Sequence, residues 1–298
     1  MRVLLAFDKF KDSLTARQAC DLAALVLRNR HRDWSLDFCP LADGGEGFAE
    51  ILTSAAGGQM TRLPVAGPRG NSIEAAFGLV SLGQIPPAAR TLLALDSSTH
   101  APSPSPLAPR PSPAAPLASD ARVAVIEMAA ASGLALLPPE SRDPWQTTTH
   151  GTGELIRAAA AAGAAGVLLG VGGSATNDLG LGALGALGLE FRSARGENVQ
   201  PPLPAHWAGI AQIAGAVPAS IPPFRIACDV TNPLLGPHGA AAIYGPQKGL
   251  RAGDLRAGAR GFRGAAGVEI HGASSDFFVA PRPVPFFIAS SVTRRAQN

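Results

Sequence analysis

The sequence predicts an α/β protein with parallel sheets, and three observations carry that expectation. Short, uninterrupted apolar runs such as residues 3–7 and 167–171 read as strands buried on both faces. Polar, glycine-rich loops follow these runs, and helical patterns follow the loops, so strand, loop and helix repeat along the chain. The chain has 298 residues, 46% of them hydrophobic, which suffices for one large domain or two ordinary ones.

Each element is justified in turn. After the opening run, Thr15 begins a helical pattern, with Gln18 three residues on as its capping-box partner. Ala19, Leu22, Ala23 and Val26 recur at helical spacing and predict its apolar face. Residues 34–41 read as a second strand, ending in the loop Ala-Asp-Gly-Gly-Glu-Gly, and a helix runs through Phe48 to Leu52. From Thr61 to Val80 the texture changes: Pro64, Gly67, Pro68 and Gly70 punctuate short segments that read as small β-hairpins, and hence as a different domain. Seven prolines between residues 101 and 117 predict an extended, exposed insertion. The α/β rhythm returns at residues 123–128. Thr152 is expected to cap an alanine-rich helix, with Glu154 in its first turn favouring the helix dipole. Further strands are expected at residues 167–171 and 224–228. Between Arg251 and Asn298 neither period is legible, and no helix or strand is placed there.

Composition narrows the partners. A net charge of +3 comes with no Lys/Arg block and no basic stripe with interleaved aromatics, so no nucleic acid is expected. Cys20, Cys39 and Cys228 form no CxxC pair, which argues against zinc and for a reducing compartment. The five-residue apolar run before Asp8 is too short for a signal-peptide core, and no run approaches the roughly 20 apolar residues of a membrane span. A cytoplasmic protein without a membrane partner is expected; the oligomeric state stays open.

The polar residues gather where predicted strands end. In open α/β sheets, ligands bind beyond those carboxyl ends. Five stretches qualify: residues 8–13, 43–47, 150–154, 172–178 and 229–248. Each has a plainer reading alone, since Asp8 or Ser13 serves equally as a helix cap and Gly44 and Gly45 as turn residues. Together they suit phosphoryl transfer, in which glycine-rich backbone holds phosphate oxygens, lysines neutralise charge, and carboxylates hold Mg²⁺ or accept the hydroxyl proton. The three lysines of the chain, Lys9, Lys11 and Lys248, all lie in these stretches, while the other 22 basic residues are arginines. Asp43, Glu46, Asp178 and Asp229 are the carboxylate candidates. A rival pattern exists: Gly170, Gly172 and Ala175 satisfy G-x-G-x-x-A, with Glu190 placed as a ribose-binding acid. That NAD-binding reading leaves the other four loops unused. Among the histidines, His150 alone adjoins a candidate loop.

Taken together, AFDKFKDSLTA, PLADGGEGF, IEMAAASGLALLP, RDPWQTTTHGTGELIRAA, LLGVGGSATNDLGLGALGALG and ACDVTNPLLGPHGAAAIYGPQKG resemble signature segments of the bacterial-type glycerate kinases, the glycerate 2-kinases. Order and spacing agree from Arg2 to about Gly249, apart from the proline-rich insertion. The resemblance implies ATP-dependent phosphorylation of D-glycerate to 2-phosphoglycerate, with Mg²⁺. It implies a two-domain glycerate kinase-like fold with the site in the cleft: residues 1–60 would form the N-terminal part of a first domain, and residues 61–250 an inserted second α/β domain. It nominates Lys11, Asp43 and Asp178 as catalytic, and Asp43 and Asp229 for metal. It also nominates Asp8, Lys9, Ser13, Gly44, Gly45 and Glu46 from the first two loops. Gly172, Gly173, Ser174, Thr176, Asn177, Asp229, Asn232, Gln247 and Lys248 complete its substrate- and nucleotide-binding set. Lys9 stands where the family usually has Ser, and Asp12 where Gly is common. The family's usual C-terminal segment is not found after Leu250, so residues 251–298 read as an atypical tail, frameshifted or truncated. An incomplete first domain is then expected, with the strand at residues 3–7 losing neighbours. The alternative reading is a non-catalytic remnant that at most binds nucleotide or glycerate.

Overall fold

The computed structural model describes residues 1–11, 13–92, 118, 120–228, 230–233, 236–254 and 269–270. The proline-rich insertion and Asp229 lie outside them, as does most of the tail.

The chain opens with a small unit. Strand β1 (Arg2–Leu5) pairs in parallel with β2 (Ser35–Phe38), and helix α1 (Ala16–Arg30) connects them. The expected capping box is present: the Thr15 hydroxyl accepts from the Gln18 N–H, and the Gln18 side chain accepts from the Thr15 N–H. Leu5, Cys20 and Ala24 form the core of this unit. Two expectations are corrected here. The first strand is not buried on both faces: Leu4 is 62% exposed, because β1 has β2 as its one strand partner among the described residues. The buried face of α1 is Ala16, Ala19, Cys20 and Ala24, while Leu22 and Val26 of the expected face are exposed with Leu25. The apolar residues of α1 therefore occupy two opposite sides, and β1–β2 covers only one.

Helix α2 (Phe48–Ala55) leads into a five-stranded sheet. Its strands are β3 (Gln59–Ala66), β4 (Ser72–Ser81), β5 (Arg122–Glu127), β6 (Ala164–Gly170) and β9 (Phe224–Ala227), in the order β3-β4-β5-β6-β9. The short helix α3 (Pro87–Leu92) follows β4, and α4 (Ala129–Ser132) follows β5. Strands β5, β6 and β9 are parallel, whereas β3, β4 and β5 are antiparallel neighbours. The sheet is thus mixed, and the segment expected as small hairpins is one long hairpin at its edge.

Side chains alternate across this sheet with the period of two that strand geometry imposes. Ala124, Ile126, Val167 and Leu169 face one core with Leu155 and Ile156 of α5 (His150–Ala161). Val123, Val125 and Leu168 face the other with Phe48 and Ala49 of α2. By packing, α2 therefore belongs with the larger sheet, although the boundary expected at residue 60 puts it with the first domain. Thr149, not Thr152, is the residue before α5; Thr152 is buried inside the helix, its hydroxyl 2.9 Å from that of Ser132. A satellite core around Phe191 and Trp207 is built on α6 (Leu181–Ala186), β7 (Leu189–Arg192) and β8 (Gln212–Gly215). Helix α7 (Ala240–Tyr244) leads toward residues 246–248, and β10 (Glu269–Ile270) pairs in parallel with β8. That last strand falls in the tail where the sequence showed no period; two residues are too few to display one.

Candidate functional site

Three loops meet at the carboxyl ends of β1, β2 and β6. Lys9 follows β1 and Asp43 follows β2, and the Lys9 Nζ lies 2.7 Å from Asp43 Oδ1. The same oxygen accepts the N–H of Gly45 at 3.0 Å. The loop after β6 docks on this pair of loops, with the Gly172 N–H donating to the Gly44 carbonyl at 3.1 Å. The approach is close enough to exclude side chains: a Cβ at Gly170 would sit 2.4 Å from the Gly44 carbonyl oxygen. One at Gly172 would sit 2.8 Å from the Gly45 nitrogen, and one at Gly173 would lie 3.0 Å from Glu46 Oε1. The glycines at residues 170–173 thus permit two backbones to touch.

The electrostatics follow from these contacts. Burial works against the charge on Lys9, but Asp43, Asp8 and Glu46 hold its pKa above the ordinary value. Burial likewise opposes ionisation of Asp43, yet Lys9 and the Gly45 N–H hold that carboxyl below its usual range. Both groups stay ionised at neutral pH, at the mouth of the junction, where the Asp43 side chain is nearly half exposed.

Asp178 is placed differently. It is fully buried, and its two oxygens accept from the Thr149 N–H and hydroxyl, the Gly180 N–H and the Gly182 N–H, all within 3.1 Å. Burial pushes its pKa up against those donors. Such a carboxylate caps α6 and clasps the start of α5, and both of its oxygens are engaged by those donors. Enclosed in this way, Asp178 is not at the exposed mouth where Lys9 and Asp43 meet.

Among the remaining nominated residues, Asp8 accepts the Lys9 N–H at 2.6 Å. Lys11 and Ser13 are exposed on the turn after β1. Ser174 Oγ, the Thr176 carbonyl and Asn177 Oδ1 all surround the Lys248 ammonium. Asn232 is used locally, accepting from the Tyr244 hydroxyl at 2.6 Å and donating to the His238 carbonyl at 3.0 Å. Gln247 is exposed beside Lys248.

Sequence reasoning missed Glu127, and for Glu154 it offered only a helix-dipole role and a place in a candidate loop. Glu127 ends β5 and accepts the Ala49 N–H at 2.9 Å, anchoring the first turn of α2 to the sheet. Burial pushes its pKa up, opposed by the Ala49 and Gly47 N–H groups. Glu154 accepts the Ala66 N–H at 2.7 Å and lies 3.8 Å from His150 Nε2. A carboxylate closing a buried apolar strand was a legible signal for Glu127; nothing local marked the partner of Glu154.

The NAD-binding pattern does not find its structure. No helix begins at Gly172; α6 starts only at Leu181, and Glu190 is engaged on the exposed face of β7 with Arg192 at 3.0 Å. A pyrophosphate on a helix start, as that motif requires, has no counterpart here.

Among the described residues, no cluster of three or more His, Cys, Asp or Glu could enclose a metal. Mg²⁺ is ordinarily held by one or two carboxylates and the substrate phosphates, with waters completing the shell. The exposed oxygen donors of Asp43 fit that use. No helix among the described residues is long and apolar enough to cross a membrane.

Comparison with known proteins agrees with this arrangement. The sequence profile of the Glycerate kinase family matches residues 3–271. The glycerate kinase of Bacillus subtilis (strain 168) is 36% identical over 258 residues, covering 85% of this chain and 56% of its own length. The glycerate 2-kinase of Escherichia coli (strain K12) is 35% identical over 256 residues, covering 84% of this chain and 56% of its own length. A crystal structure described as a glycerate kinase 2 from Salmonella typhimurium LT2 superposes with a TM-score of 0.64 at 35% identity. It covers 89% of this chain and 62% of the Salmonella chain. The chain spans about half the length of these curated relatives, 56% in both cases. With the profile matched over most of its length, the chain belongs to the glycerate kinase family.

Proposed function

We propose that the protein phosphorylates D-glycerate at the expense of ATP, forming 2-phosphoglycerate. The observation that carries the reading is the junction of three loops at strand ends, where Lys9, Asp43 and the glycine backbone at residues 170–173 meet. The activity named for the relatives supports the choice of glycerate and of the 2-hydroxyl.

In this reading, the phosphates of ATP lie against the glycine-rich turn at residues 172–177, and Lys9 supplies a cation at the mouth of the junction. Lys11, exposed on the same loop, is the second lysine within reach of an incoming anion. Asp43 orients the glycerate hydroxyl; its lowered pKa makes it a weak base, which suffices for a loose phosphoryl transfer. The hydroxyl oxygen forms a bond to the γ-phosphorus as the bond to the β-phosphate oxygen breaks, ADP departs with that electron pair, and the hydroxyl proton passes to the carboxylate. Asp43, with Asp229, would hold Mg²⁺, which when bound neutralises charge between the β- and γ-phosphates. Asp178 positions the turn from beneath.

The test is a coupled assay of ADP release on the purified 298-residue protein with D-glycerate and Mg²⁺·ATP. Glycerate-dependent ADP release, with 2-phosphoglycerate as product, is expected. ADP release that is indifferent to glycerate would end the proposal.

A further inference from the structure

Lys248 is the one lysine of the three that is enclosed, with 2% of its surface exposed. It ends the turn Pro246–Lys248, far along the chain from the loop it meets. Its Nζ lies 2.9 Å from Ser174 Oγ, 2.7 Å from the Thr176 carbonyl oxygen and 3.4 Å from Asn177 Oδ1. All three oxygens belong to the glycine-rich turn. That turn lacks a helix of its own to brace it, since α6 begins only at Leu181. On its other side it is held by the Gly173 carbonyl, which accepts the Leu134 N–H, and by the Ala175 N–H, which donates to the Ser132 carbonyl. Lys248 therefore closes the side that residues 132–134 leave open.

Burying an ammonium costs several kcal/mol unless hydrogen bonds compensate. Methionine would fill similar space without that cost. An ammonium has three N–H donors, and here three oxygens of one turn surround it, so a phosphate oxygen would have to displace one of them to reach Nζ.

We propose that Lys248 is a positioning residue that holds the anion-binding turn at residues 172–177 in shape, and is not a direct phosphate contact. This rests on the reading that the turn meets the phosphates of ATP. Burial lowers the pKa of Lys248 to about 7, and among the described residues the Asp178 carboxylate works against that shift. Opening the turn would return Lys248 to its ordinary pKa, so protonation favours opening and closure strengthens as pH rises above about 7.

The experiment compares wild type with Lys248→Met by amide hydrogen exchange without ligand, and by calorimetric titration with Mg²⁺·ATP. The reporters are the hydrogen-bonded amides of Gly172 and Ala175. In Lys248→Met they are expected to exchange at least tenfold faster, while amides of β6 and α5 keep wild-type rates, and ATP affinity falls at least tenfold. In wild type, their protection, corrected for intrinsic rates, should rise between pH 7 and pH 9, because opening the turn returns Lys248 to water and to its ordinary pKa. Unchanged protection in the variant, or faster exchange spread evenly through the sheet, overturns the proposal. Should Lys248→Met fail to fold, the wild-type pH series decides: flat protection across that range refutes the clamp. Wild type that binds no ATP sinks the functional reading instead, and leaves the exchange measurements to judge the clamp.

Discussion

Asp43 and Asp178 are chemically the same residue, and burial gives them opposite work. Asp43 stands at the mouth of the loop junction, paired with Lys9 at 2.7 Å and held below its usual pKa. Asp178 is sealed beneath, with four hydrogen bonds to satisfy it. Asp178→Asn replaces an acceptor-only group with one that carries two donors of its own, so it leaves buried N–H groups poorly paired. A loss of about 3 kcal/mol is expected in urea denaturation. Lys9→Met should act the other way: unfolding stability changes by less than about 1 kcal/mol, since the pair is partly exposed, while turnover falls by about 100-fold. Parallel denaturation and steady-state kinetics separate the two. Lys248 has a pH signature. Its native pKa is lowered from 10.5 to about 7, so between those values the unfolded chain holds a proton that the native protein lacks. Its contribution makes stability rise with pH across that window and is flat outside it. Urea midpoints at pH 7, 8.5 and 10 should show a rise in wild type that Lys248→Met lacks.

At the scale of elements, the site depends on how closely β6 and its following turn approach the loop after β2. The glycines that read as phosphate-binding in the sequence serve first to let backbone meet backbone. Gly170→Ala would place a methyl 2.4 Å from the Gly44 carbonyl oxygen and 2.8 Å from Phe48 Cδ1. Overpacking of this kind costs about 1–3 kcal/mol. Because the collision lies at the loop junction, Gly170→Ala should also weaken ATP binding, measured by titration, whereas an alanine at the exposed turn position Gly209 should do neither. Helix α2 shows a second link between elements. Its first turn is satisfied by Glu127 from β5, so the loop at residues 43–47 is fixed by the sheet below it and not by its own sequence alone.

At the scale of the whole molecule, the small β1–β2–α1 unit carries the most exposed apolar side chains among the described residues. Leu4 of β1 and Leu22, Leu25 and Val26 of α1 are at least half exposed, the last three on a helix whose opposite face is already packed. Each Å² of such apolar surface left in water forgoes about 25 cal/mol. Concentration-dependent association is therefore expected in sedimentation velocity. The double substitution Leu22→Lys and Leu25→Glu should suppress it while changing stability by no more than about 0.5 kcal/mol, because neither side chain has packing to lose. Association that survives the substitution would show that another surface drives it.

Much of this was legible in advance where the information is local. The capping box of Thr15 and Gln18, the strand runs at β5 and β6, and the meeting of glycine loops at strand ends are set by neighbours in the chain, through hydrogen-bond capping, side-chain alternation and backbone freedom. What the sequence could not decide was which apolar residues would be covered and which polar ones enclosed. Leu22 read as helix core and Cys20 did not, yet it is Cys20 that is buried against β1. Asp178 and Asp43 both read as site carboxylates, yet only Asp43 faces outward. Lys248 read as a phosphate ligand until Ser174, Thr176 and Asn177 were found around it, more than 70 residues away along the chain. The sequence by itself determined the elements and the loops at their ends, because those follow from short-range sterics and hydrogen bonding. The tertiary structure decided exposure, protonation and partner for each side chain, because desolvation and pairing depend on groups that are brought together only when distant segments pack.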